Sequence, residues 1–146
     1  MKRILLPILI TMAAGCASTG PVALAPNDGR DCARNFTQEG SIVTGKVYRT
    51  SIYLEGTGKK RAFSNISKGL AMQGWNISNS DSELGMLNAN QSVAMSNGGT
   101  APLNISVDDT SSGSEVSLAF STGMGVYSPP NAVMEEFCKI VSVANK

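Results

Sequence analysis

Apolar positions change their rhythm along this chain at about residue 32. Before that point there is one short apolar block, Ile4 to Met12, and then an aperiodic stretch, ASTGPVALAPNDGRD, over residues 17–31. After it the pattern becomes regular. From Ile42 to Leu54 (IVTGKVYRTSIYL), Tyr48, Ile52 and Leu54 share one parity and Val43, Val47 and Tyr53 the other. That predicts a strand covered in part on both faces and interrupted near Gly45. Glu55-Gly56-Thr57-Gly58 reads as a turn. Lys59 to Gln73 puts Phe63, Ile66 and Leu70 at i, i+3 and i+7, one face of a helix that Gly74 should stop as its C′ residue. Gly69 sits inside that helix, where glycine is about 1 kcal/mol worse than alanine unless something packs on it.

Four further strands follow from period-two alternation. Trp75 and Ile77 point one way; Leu87, Ala89 and Val93 share a face; so do Leu103, Ile105 and Val107, and then Val116, Leu118 and Phe120. Turn-forming residues at 80–82, 96–99 and 108–113 separate them. This predicts an antiparallel meander with one dry face. Ser128-Pro129-Pro130 opens a last helix, with Ser128 the expected cap and Val133, Phe137, Ile140 and Val141 its apolar face to about Ala144. Cys32 to Gly40 has one large apolar residue, Phe36, and no clear pattern. The order β-α-β-β-β-β-α predicts a two-layer α+β domain over residues 32–146. Its antiparallel sheet has about five strands, with two helices packed on one face.

The first block has a different meaning. Lys2 and Arg3 precede the apolar run, and Ala13, Ala14 and Gly15 lead into Cys16, which is the order of a secretory signal peptide over residues 1–15. The run is too short to span a bilayer, which takes roughly 20 helical residues. Ala13-Ala14-Gly15-Cys16 resembles a bacterial lipobox. The resemblance implies a lipoprotein whose Cys16 is the lipidated residue, carrying diacylglycerol and an amide-linked, palmitate-type chain. Ala17, rather than Asp, follows the cysteine, which in that family implies the outer membrane. Residues 16–31 are then a lipidated flexible tether. Gly74-Trp75 leaving the first helix, and Gly85-x-Leu87-x-Ala89 opening the meander, look like a helix-grip domain of the kind found in outer-membrane assembly lipoproteins. That resemblance of topology covers about residues 42–145 and implies a scaffold or binding role in the periplasm.

Composition narrows the chemistry. The 146 residues hold 12 Lys+Arg and 11 Asp+Glu, a net charge of +1; loss of Lys2 and Arg3 leaves 10 against 11, or −1. A nucleic-acid binder would carry a basic surplus. No histidine occurs, which removes Ser-His-Asp and Cys-His nucleophile systems and His-ligated zinc. With Cys16 lipidated, Cys32 and Cys138 remain, an even pair expected as a disulfide in an oxidising compartment. Asp108, Asp109 and Glu115 bracket a Ser/Gly-rich loop and could hold calcium, but their spacing departs from an EF-hand loop and a polar hairpin tip explains them fully. Asp81 and Glu83 read as a solvated turn rather than a hydrolytic pair. Trp75, the single tryptophan, reads as core with ligand stacking as the alternative. Candidate contacts with a partner or with lipid are the basic cluster Lys59, Lys60 and Arg61 and the apolar Met124, Val126 and Tyr127. No cofactor, metal or catalytic residue is expected. The expected function is a non-enzymatic outer-membrane lipoprotein, joined to the membrane through Cys16 and to a protein partner in the envelope. The alternative is a periplasmic inhibitor or carrier using the loop 121–130.

Overall fold

Backbone pairing gathers all the strands into a single antiparallel sheet. The computed structural model describes residues 22–23, 28–92 and 99–146. Its elements are β1 (Val22–Ala23), α1 (Asp31–Arg34), β2 (Thr37–Ser41), β3 (Gly45–Glu55), α2 (Lys59–Met72), β4 (Asn76–Asp81), β5 (Met86–Ser92), β6 (Thr100–Thr110), β7 (Gly113–Thr122) and α3 (Pro130–Ser142). The sheet order is β1-β2-β3-β7-β6-β5-β4.

One parity of each long strand is dry. Tyr48 faces Phe120 and Phe120 faces Leu103; Thr50, Leu118 and Ile105 form the next row, and Ile52, Val116 and Val107 the one after. Leu87 and Ala89 extend the face into β5. All of these side chains are buried. The helices close over them with the predicted faces: Phe63, Ile66 and Leu70 from α2, and Val133, Phe137, Ile140 and Val141 from α3. The result is the expected two-layer α+β arrangement, with an open, largely polar sheet face on the other side.

Helix α2 ends as its sequence dictates. Gly74 adopts φ +81°, its N–H bonds the Ala71 carbonyl, and the Trp75 N–H reaches back to that of Leu70. That is a Schellman ending, and its accompanying apolar contact is supplied by Leu70 and Trp75, both buried.

Four expectations need correction. Among the described residues the sheet has six strands of five or more residues plus the two-residue β1, against about five expected, and there are three helices rather than two. The additions all come from the first part of the chain, which has no periodic pattern. Helix α1 is a single turn, and β2 (TQEGS) has no apolar residue and is held by backbone pairing with β3 along its length and with β1 at Thr37 and Gln38. Ile42 and Val43 belong to the β2–β3 hairpin tip, not to a strand. Ser128 does not cap α3: Pro129 is the cap residue with no side-chain cap bond, and the Ser128 carbonyl instead accepts the Tyr48 hydroxyl at 2.6 Å. Of the expected tether, Val22–Ala23 pair with Gln38 and Thr37 of β2. The expected strand position Val93 lies outside the described residues, as does Cys16.

Candidate functional site

Where α3 starts, the helical layer and the end of the sheet leave a cleft between them. Its floor is Phe120, near the end of β7. Trp75, leaving α2, meets Phe120 edge-to-face at 6.3 Å between ring centroids. Phe137, Val133 and Pro129 form the α3 wall. The cavity here is about 240 Å³. A second of about 240 Å³ shares Gln91, Phe120 and Ser128 with it and is walled by Val126 and Tyr127. The indole N–H of Trp75 donates to Glu136 Oε1 at 3.2 Å, so the ring is oriented by a carboxylate as well as by packing. Burial raises the Tyr48 hydroxyl above its usual pKa, with a lesser contribution from Tyr127 nearby. It therefore stays protonated as a donor to Ser128. Trp75 is the buried core side chain the sequence predicts, and its ring also walls the cleft.

The sequence-predicted candidates are widely separated. Met124 and Tyr127 are exposed, at 76% and 64%, and Tyr127 with Val126 walls the second cavity. The basic cluster lies at the opposite end of the sheet. There the Lys59 ammonium donates to the Glu83 carbonyl at 2.7 Å, and the Arg61 guanidinium donates to the main-chain oxygen of Lys146 at 3.2 Å. The acidic candidates serve local structure. Asp81 Oδ1 accepts the N–H groups of Glu83 and Leu84, fixing a turn. Asp109 Oδ1 accepts the Lys59 N–H at the start of α2. Asp108 faces Glu115 across the β6–β7 pair. Among the described residues, no three His, Cys, Asp or Glu side chains group as metal ligands would.

Cys32 and Cys138 form a disulfide with Cα atoms 5.3 Å apart, both residues buried. It fastens α1 to α3, and the Thr50 hydroxyl donates to the Cys32 carbonyl at 2.7 Å. An ion cluster that sequence reading missed flanks it: Arg30 reaches Glu135 at 2.5 Å and Asp28 through Nε at 2.9 Å. Hydrogen bonds from Arg30 hold both carboxyls below their usual pKa. Nothing local signals this pairing, because its partners are 105 positions apart.

On the open sheet face a shallow depression of about 420 Å³ lies over Ser51, Ser106, Ser117 and Ala119, between Arg49 and Met86. From Asn104 at its edge, side-chain amide hydrogen bonds of 2.6 and 3.3 Å lead away to Asn88 and on to Asn79.

These features define a class by architecture: a disulfide-stapled, two-layer α+β domain with an aromatic cleft at one end of its sheet. No family model matches the chain, and no curated protein matches it.

Proposed function

We propose that this protein is an outer-membrane lipoprotein, lipidated at Cys16, whose domain is a non-enzymatic binding or scaffold module facing the periplasm. The observation that carries the reading is the cleft beside Trp75. Aromatic and aliphatic walls with a few oriented polar groups are the usual make-up of a recognition site. The carboxylates whose ionisation the fold shifts, Asp28 and Glu135, are held down by Arg30, the opposite of what a general acid requires. The second reading, an inhibitor or carrier that engages its target through residues 121–130, is favoured by Val126 and Tyr127 forming a wall of the cavity.

Two experiments test this. Metabolic labelling with a palmitate analogue should mark the parent chain and not Cys16→Ala; equal labelling of both would end the lipoprotein reading. Co-purification from solubilised envelopes should recover a stable complex for a scaffold, or one inhibited enzyme for an inhibitor. Ala132→Trp, which projects into the cleft from the exposed side of α3, should abolish that recovery. Undiminished recovery would remove the cleft from the proposal.

A further inference from the structure

The ends of the sheet differ in kind. Strands β2, β3 and β7 finish at one end in two adjoining segments, 40–46 and 121–128, reading GSIVTGK and STGMGVYS. Between them they hold one charge, Lys46, and no carboxylate. The other end carries six carboxylates, Glu55, Asp81, Glu83, Asp108, Asp109 and Glu115, in its turns and the strand ends beside them, together with the basic cluster Lys59, Lys60 and Arg61 at the start of α2.

Hairpin tips are normally built from Gly, Asn, Asp and Ser. The β2–β3 tip instead presents Ile42 and Val43, 46% and 72% exposed. It is not a loose loop. Ser41 and Thr44 bond each other across its base, N–H to hydroxyl in both directions at 3.1 and 3.2 Å. The Gly125 N–H donates to the Ile42 carbonyl at 2.8 Å, which sets Met124 in the adjoining turn. Of the eight large apolar side chains exposed among the described residues, four (Ile42, Val43, Met124 and Tyr127) lie in these two segments. Scattered exposed apolar residues need no explanation; a rigid group of them at one end does.

The path of the chain says what covers this group. Val22 pairs with Gln38 and Ala23 with Thr37, so going backwards along β1 means travelling toward Ser41. Val22, the first described residue, is therefore the end of β1 nearer to Ile42 and Val43. Cys16 lies six residues before Val22, a span of at most roughly 20 Å. Resting on the lipidation of Cys16, we propose that Ile42, Val43, Met124 and Tyr127 form a wedge that inserts into the headgroup region of the bilayer beside the acyl anchor. One lipid attachment leaves a domain free to tumble; a second, apolar contact fixes its orientation. Lys46 then faces the lipid phosphates, and the acidic turns point away from the anionic surface. The cleft beside Trp75 opens at the membrane-facing end.

The lipidated mature chain, reconstituted in phosphatidylethanolamine–phosphatidylglycerol vesicles with brominated acyl chains, provides the test. Trp75 is buried and serves as the internal reference. Met124→Trp places an indole in the wedge, and Leu84→Trp places one in an exposed turn at the acidic end. The wedge indole should lose emission to the brominated chains and be shielded from aqueous iodide, since side chains of an interfacial contact lie at the headgroup–acyl boundary. The indole at the acidic end should be open to aqueous iodide and unaffected by bromine. A lipidated Met124→Trp chain whose added indole stays open to iodide and escapes bromine would overturn the wedge and leave the anchor standing. So would a wedge indole that becomes shielded only when envelope proteins are added, which assigns the tip to a protein. A mature chain found without lipid by mass would end both.

Discussion

Replacing Gly69 with alanine should destabilise the domain, although the same change in an ordinary helix stabilises it. Gly69 is a buried interior residue of α2. Alanine gains about 1 kcal/mol there from helix propensity alone. But a methyl built on Gly69 would lie 2.6 Å from Cγ2 of Val143, just past the end of α3. Valine is stiff at χ1 and cannot swing away freely. Overpacking of this kind costs about 1–3 kcal/mol, so the net effect should be a loss of about 1 kcal/mol. Val143→Ala removes the obstructing methyl, and in that background Gly69→Ala should recover its ordinary gain of about 1 kcal/mol. The double-mutant cycle should then show a coupling of about 2 kcal/mol. Urea unfolding followed by Trp75 fluorescence, with the disulfide intact and the m-value unchanged, measures all four proteins. If Gly69→Ala has the same sign in both backgrounds, the glycine is not there to admit Val143.

Phe137→Ala should cost about 3–5 kcal/mol, because the side chain is buried against Phe36 at 5.8 Å between ring centroids and against the cleft; a loss below about 1 kcal/mol would refute its place in the core. The double change of Cys32 and Cys138 to serine should lower stability by up to about 4–5 kcal/mol, since the bond closes a separation of 106 positions. Alkylation of the unfolded, unreduced mature chain should modify neither cysteine. Arg30 holds the folded-state carboxyls of Asp28 and Glu135 below their ordinary values of 3.8 and 4.5. Their contribution to stability is therefore complete above those ordinary values and is lost as pH falls through the depressed ones. Glu135→Gln should have a lower unfolding midpoint than the parent at pH 7, and the difference should vanish in acid; a gap that widens on acidification would reverse the assigned direction.

The regular part of the fold was legible because burial there follows period. In α2, Phe63, Ile66 and Leu70 are spaced for a helix and all are buried; in β6 and β7, alternate residues are buried from Leu103 to Val107 and from Val116 to Phe120. The N-terminal part was not legible because its structure is imposed from outside. The only large apolar residue of segment 32–40, Phe36, stacks on Tyr48 from β3, and β2 is a strand through its pairing with β3 and β1. The cleft was hidden for a related reason. Trp75, Phe120 and Phe137 each fit their own element as core residues, and only the crossing of those elements leaves space between them. Met124 and Tyr127 stood out in the sequence as apolar residues in a loop. Ile42 and Val43 did not, since β-branched residues before Gly45 read as strand.

The contact between Asp109 and the first turn of α2 bears on the order in which the chain folds. The cap residue Gly58 offers no side chain, and the first helical residues, Lys59, Lys60 and Arg61, place three positive charges at the positive end of the helix dipole. The acceptor for the Lys59 N–H arrives from β6, 50 positions downstream. On its own, α2 has an apolar stripe but a poor beginning, and short isolated helices are marginal even with good ones. A peptide of residues 58–75 should accordingly show little helical circular dichroism. The bond to Asp109 can form only once β6 lies beside the start of α2, so the helix takes its cap from the sheet it packs on rather than bringing one of its own.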